Sequence, residues 1–230
     1  MGYTGQFLIA FFCFIRRRVE MQLGLMPYVV GTLLMTATPA LAHHPMGGDT
    51  PQSLLHGFLS GVGHPIIGID HLAFIVLVGL GSALLGGKKL PAATFVAATL
   101  IGCLALIHGV SLPFVEITIS LSIIFVASLI IFNGILNKLA LTIIFGTAGL
   151  FHGWAYGKAI IGAEAAPLSS YLFGFGLTQY IIALLVSWTA LKMWQAQSCQ
   201  NSQPRIAAGV CLGIGITFFI EQIEGLAFRL

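Results

Sequence analysis

The sequence predicts an all-α fold: a polytopic membrane helical bundle of about six transmembrane helices after a cleavable signal peptide. Only 7% of its residues are Asp, Glu, Lys or Arg, whereas soluble domains carry about 25%. Apolar residues make up 57% of the chain. They form blocks of roughly 20 residues, long enough to cross a hydrocarbon core about 30 Å thick. We therefore expect the lipid bilayer to surround most of the chain.

Residues 1–42 are predicted to be the signal peptide. Three consecutive arginines precede an apolar run over residues 23–35, and Ala-Leu-Ala at positions 40–42 is typical of a cleavage site. Two internal methionines are alternative translation starts, Met21 and Met26. An uncleaved first helix is the alternative to processing.

Residues 43–64 are predicted to form an extracytoplasmic leader that contains histidines. After cleavage the chain would begin His43-His44, which combines an α-amine with two imidazoles in a polar tail. Such a tail is a candidate for capturing a metal ion. A polar leader without ligand function is the alternative.

Residues 65–230 are predicted to be one six-helix transmembrane domain with short loops. Glycines at spacing four, such as Gly149, Gly153 and Gly157, predict close contact between neighbouring helices. The apolar blocks that define the predicted spans cover residues 65–86, 90–109, 115–132, 139–160, 171–191 and 206–228.

The loop charges predict the orientation. With the leader outside, the cytoplasmic loops collect basic residues, as the positive-inside rule requires. We therefore expect a multi-pass protein of the cell inner membrane, with the mature N-terminus and the C-terminus both extracytoplasmic. The net charge of +3 forms no basic patch, so no nucleic acid is expected as a partner. The basic residues of the predicted cytoplasmic loops are Lys88, Lys89, Lys138, Lys192 and Arg205.

The start of the first span contains two imidazoles and a carboxylate: His64, Asp70 and His71. Ionisable groups inside a membrane are costly and favour a functional interpretation. On one continuous helix, His64 and His71 would project from the same face about 10 Å apart. Asp70 would either bind a metal ion directly or accept a hydrogen bond from a ligating imidazole.

Two further histidines are predicted at similar depth: His108 near the outer end of the second span and His152 in the fourth. Imidazole and carboxylate from three helices suit nickel, cobalt or zinc. The alternative is that each histidine only holds the bundle together through hydrogen bonds. Glu116 and Glu164, near the outer surface, are candidates for attracting cations, although solvated loop charges are the common explanation.

Residues 63–71 and 151–157 resemble the HupE/UreJ family of nickel/cobalt permeases. The HPxxGxDH signature of that family matches His64, Pro65, Gly68, Asp70 and His71. In the second motif, which resembles FHGxAHGxE, His152 matches. Tyr156 stands in place of the second histidine and Ala159 in place of the glutamate, with Glu164 five residues further on.

The resemblance implies a permease for nickel and/or cobalt that serves hydrogenase or urease maturation or cobalamin synthesis. We expect no enzymatic activity and no permanent cofactor, with Ni²⁺ or Co²⁺ as cargo. The sequence has no GxxxxGK[ST] loop for ATP hydrolysis. The alternatives are a non-transporting accessory or scaffold protein for metalloenzyme maturation, and a membrane metalloenzyme, although no HExxH occurs. The oligomeric state is not predicted.

Overall fold

The computed structural model describes Tyr28, residues 50–132, Gly134, residues 137–197 and residues 202–228. Its secondary structure in these ranges is helical, which confirms the predicted all-α class. Apart from Tyr28, the predicted signal peptide lies outside them, as do both leader histidines, His43 and His44. The elements are α1 (Leu54–Ile67), α2 (Ile69–Leu84), α3 (Leu90–Ile107), α4 (Val115–Ile131), α5 (Lys138–Gly157) with a 3₁₀ turn (Lys158–Ile160), α6 (Ala165–Lys192) and α7 (Gln203–Phe228).

The first predicted span is not one continuous helix. It starts earlier, at Leu54, and α1 and α2 meet at Gly68 with a bend of 79°. The N–H of Gly68 still reaches the carbonyl of His64 at 3.2 Å, which closes the last turn of α1. Gly68 has an ordinary extended backbone, φ −73° and ψ 96°. A Cβ added at Gly68 would lie 3.0 Å from the His71 ring, so a larger residue there would press on that ring.

The helix α2 lies at the centre of the bundle and contacts every other helix. Most of its apolar side chains are buried, and Phe74, Leu77 and Val78 are fully buried. In a membrane, close van der Waals packing of such side chains favours helix association, because lipid tails are as apolar as the side chains themselves. This packing also places the first turn of α2, with Asp70 and His71, among neighbours on several sides.

Four helices are individually long and apolar enough to cross a membrane: α3, α5 with its 3₁₀ turn, α6 and α7. The bent pair α1–α2 would make a fifth span. The helix α4 is apolar but only 17 residues long. Six spans therefore stay a prediction, although each predicted block coincides with one helix or with the bent pair.

Neighbouring contacts show the direction in which the helices run. Gly149 and Gly153 of α5 lie against Phe95 and Thr99 of α3 in the same order, so α3 and α5 run parallel. Because α3 and α5 run parallel, α4, which lies between them in the sequence, must cross the bundle in the opposite direction. The helix α6 begins at Ala165 rather than Tyr171. Pro167 fits in its first turn, because backbone N–H groups at that position have no partner within the helix, so the missing N–H of proline costs nothing.

The predicted packing role of the spaced glycines is confirmed for α5. A Cβ added to Gly149 would lie 2.8 Å from the carbonyl oxygen of Phe95, and one added to Gly153 would collide with the backbone of Thr99. A Cβ at Gly157 would lie 3.1 Å from the carbonyl oxygen of Cys103. The two backbones can approach because these side chains are absent.

We expect Gly153→Ala to destabilise the folded protein by about 1–3 kcal/mol, because the methyl group forces α3 and α5 apart. Thermal unfolding of the purified protein in detergent measures this loss. Gly225→Ala on α7 is the matched control, since nothing lies within 4 Å of a Cβ there. Equal unfolding temperatures for the two variants would contradict the role assigned to Gly153.

Candidate metal-binding site

Two of the predicted histidines form a buried pair at the centre of the bundle. His71 in the first turn of α2 is 7% exposed and His152 of α5 is 0% exposed. Their Nδ1 atoms are 3.0 Å apart, so one ring donates a hydrogen bond to the other. The pair joins α2 to α5 through side chains that are 81 residues apart in the sequence.

The donor in this pair follows from the next contact. Ser122 of α4 donates its single hydroxyl hydrogen to the carbonyl of Ile119 at 2.7 Å. The Ser122 Oγ therefore accepts from His152 Nε2, which lies 3.1 Å away. A fully buried imidazole without a carboxylate is best accommodated as the neutral form. The Nδ1 of His152 then accepts from His71, which leaves His71 Nε2 for another partner.

His71 Nε2 faces the carboxylate of Asp70. The Asp70 Oδ2 lies 4.0 Å from His71 Nε2, and its Oδ1 is buried with no hydrogen-bond partner in the described structure. Two atoms that bind one transition-metal ion at about 2.1 Å are roughly 3.0–3.4 Å apart. A movement of less than an ångström would let His71 and Asp70 bind the same cation.

An aromatic ring separates this pair from the third predicted ligand, His64. The ring centroid of Tyr156 lies 4.7 Å from that of His64 and 4.1 Å from that of His71. His64 Nδ1 contacts the Tyr171 hydroxyl at 2.8 Å. The two histidines do not share one helical face, as the sequence analysis expected, because the chain bends at Gly68 between them. They flank Tyr156 instead.

Other predicted site residues lie apart from this cluster. His108 follows the end of α3, is exposed, and places its Nδ1 2.8 Å from the carbonyl of Leu104. Glu164 is exposed at the start of α6. Glu116 is paired with Lys158, with 2.6 Å between Oε1 and Nζ. The structure thus gathers four of the predicted ligands, His64, Asp70, His71 and His152.

The cluster is sparse in ligands for a resident metal. Within the described ranges, no group of three His, Cys, Asp or Glu side chains could hold a metal ion. His71 Nε2 and Asp70 provide two donors, so the remaining positions on an ion would belong to water or backbone oxygens. Weak, partly hydrated binding of this kind favours passage over storage.

Sequence reasoning missed three neighbours of the histidines. Tyr171 forms a hydrogen bond with His64, and Ser122 determines which nitrogen of His152 carries the hydrogen. Tyr156 lies between His64 and His71, but the sequence analysis noted it only as a departure from a motif. Each is a hydroxyl within an apolar helix, and that polarity is the signal that could have identified it. Their partners are distant in the chain, which the sequence does not reveal.

We expect Glu116→Gln to change metal uptake by no more than about twofold, because exposed ion pairs contribute little energy and Lys158 already neutralises this carboxylate. Initial uptake rates at low metal concentration check this. A loss of tenfold or more would show that the carboxylate attracts cations despite its pairing.

Comparisons with known proteins agree with the motifs. A family model described as HupE / UreJ protein matches residues 31–218. The chain is 32% identical over 162 residues to Protein HupE of Rhizobium leguminosarum bv. viciae, a match that covers 68% of this chain and 80% of that protein. No solved structure matches the chain.

Proposed function

Because this chain belongs to the HupE/UreJ family, we propose that it is a permease for a divalent transition metal, most directly Ni²⁺ or Co²⁺. That family is associated with nickel or cobalt uptake or with metalloenzyme maturation. The single observation that carries the proposal is the buried pair of His71 Nε2 and Asp70, whose Oδ1 has no partner in the described structure. A carboxylate in this position needs a cation nearby.

The donor set explains which cations fit. Imidazole nitrogen with carboxylate oxygen suits borderline divalent ions, whereas Mg²⁺ prefers oxygen ligands alone. Neutral imidazole binds metal and protonated imidazole does not. A cation beside Asp70 can therefore take the unprotonated Nε2 of a neutral His71 as a second ligand. His152, held by Ser122, keeps the His71 ring in the orientation that presents Nε2.

The protein is a multi-pass membrane protein. We propose the inner membrane as its location, with both ends of the mature chain outside the cytoplasm, and transport without ATP hydrolysis or a permanent cofactor. We propose no enzymatic activity. We propose that the ionisable groups of the cluster bind an ion in passage and do not activate a water molecule.

The test is uptake of radiolabelled nickel and cobalt by a transport-deficient host that expresses the protein. Wild type and His71→Ala are compared at matched membrane abundance. We expect uptake of at least one ion in wild type and background uptake in the variant, because His71 supplies the nitrogen ligand. Absence of wild-type uptake for both ions would contradict the proposal.

A second candidate function is a non-transporting accessory or scaffold protein for metalloenzyme maturation. The observation in its favour is that His64, His71 and His152 already bond to side chains of other helices. In that case the buried polar groups would serve to hold the helices together. Absence of uptake above the host background in wild type, with the protein present in the membrane, would favour this alternative.

A further inference from the structure

Four buried side-chain polar atoms in the described ranges lack a hydrogen-bond partner. Asp70 Oδ1 and Tyr156 Oη belong to the site above. The other two, Gln179 Oε1 on α6 and Ser82 Oγ on α2, lie outside it. Unpaired polar atoms are costly in an apolar interior, so each needs an explanation. Gln179 is the more informative, because it is 0% exposed and its orientation is fixed.

The amide of Gln179 is held by two acceptors. Its Nε2 donates to Thr99 Oγ1 at 3.1 Å and to the carbonyl of Phe175 at 3.3 Å. The Thr99 hydroxyl donates its own hydrogen to the carbonyl of Val96 at 2.8 Å. A flipped amide would set its oxygen against the carbonyl of Phe175 and would require the Thr99 hydroxyl to give up its bond to Val96. In the observed orientation the carbonyl oxygen of Gln179 is buried and has no donor among the described residues.

Gln179 lies on the same face of α6 as Tyr171, the hydrogen-bond partner of His64. Tyr171, Phe175 and Gln179 follow at spacing four on α6, which places Gln179 about 12 Å along the axis from Tyr171. Phe175 packs edge-on against Tyr156, with centroids 4.5 Å apart. Thr99 lies against Gly153, the residue after His152. From the histidine cluster, Gln179 thus lies toward the end of α6 that carries Lys192.

We propose that Gln179, oriented by Thr99, is a second binding position for the transported divalent cation, which it holds through the cation's hydration shell. The carbonyl oxygen accepts a hydrogen bond from a water bound to the ion. This inference rests on the proposed metal transport. A neutral amide holds an ion less strongly than Asp70 and His71 do, so this position receives the cation and passes it on.

Nickel uptake and nickel binding, measured side by side, test the inference. Gln179→Met replaces the amide by an apolar side chain of similar length. We expect its initial uptake rate to fall about tenfold at matched membrane abundance, the scale typical of lost outer-shell contacts. Nickel bound at the stronger position by the purified protein in lipid nanodiscs should stay as in wild type, since His71 and Asp70 remain and the weaker position at Gln179 adds little to the measured affinity. A purely structural role would lower binding as well.

Variants of Thr99 give an independent readout. Thr99→Val removes the acceptor that orients Gln179 and should lower uptake, whereas Thr99→Ser keeps the hydroxyl and should restore it. Thr142→Val on α5 is the control, because that hydroxyl donates to the carbonyl of Lys138 in its own helix. Its uptake should equal that of wild type.

The outcomes separate this inference from the proposed function. Wild-type uptake in Gln179→Met, or joint loss of binding and uptake, would overturn the inference and leave transport through His71 intact. If Gln179→Met does not accumulate, equal uptake in Thr99→Val and Thr99→Ser would overturn it. Absence of uptake in wild type itself would remove the proposed function and this inference with it.

Discussion

Asp70→Asn is expected to reduce nickel and cobalt uptake to background, a loss of about 100-fold or more, since even outer-shell partners of a metal cost about 10–100-fold when removed. The substitution keeps the shape of the side chain and removes its negative charge. The amide oxygen is a weaker ligand, and no other carboxylate is described in contact with His71. Uptake rates of radiolabelled ions, normalised to membrane abundance, measure the effect.

Glu116→Gln is the matched control, because it makes the same carboxylate-to-amide change at an exposed ion pair. The unfolding temperature of purified Asp70→Asn protein should be at least as high as that of wild type, because the substitution removes the desolvation cost of a buried, incompletely paired charge. Uptake that survives in Asp70→Asn would exclude a metal path through this carboxylate. Loss of uptake with loss of folding would point to a structural role.

His152→Phe is expected to lower uptake by about 10–100-fold, the range typical when the partner of a metal-binding imidazole is removed. Phenylalanine retains the ring that packs on Phe74, where the centroids are 4.5 Å apart. It removes the acceptor for His71 Nδ1. The His71 ring is then free to turn Nε2 away from Asp70.

His152→Gln distinguishes positioning from direct ligation. The glutamine carbonyl can accept the hydrogen bond from His71 Nδ1, so uptake should recover at least in part. Nickel affinity of the purified protein, measured by titration calorimetry in nanodiscs, should follow the same order. Equal loss in the glutamine and phenylalanine variants would contradict a positioning role and indicate that His152 binds the ion itself.

The sequence predicted the helical class and the apolar blocks because hydrophobic runs are local properties. It did not predict the break at Gly68. Pro65 is compatible with the first turn of a helix and was assigned there, yet it lies near the end of α1. Which of many glycines interrupts a helix depends on tertiary neighbours, here the ring of His71 that lies close to Gly68.

The site was predictable in part for a similar reason. Burial cost identified His64, Asp70 and His71, and similar depth in the fourth predicted span added His152. The position of a residue along its helix could be estimated from sequence spacing. Whether the residue faces the interior of the bundle or its surface depends on how the helices pack. His108 has the predicted depth near the end of α3 and is nevertheless exposed. The contact between His64 and Tyr171 spans 107 residues and has no local signal.

The bend at Gly68 brings the end of one helix and the beginning of another to the level of the cluster. Helix dipoles amount to roughly half a negative charge at the end of α1 and roughly half a positive charge at the start of α2. Asp70, in the first turn of α2, offsets the positive end. A divalent ion beside this single carboxylate would keep a net positive charge. Under the proposed function, the interrupted helix would attract a cation without neutralising it, and the residual charge would favour its departure.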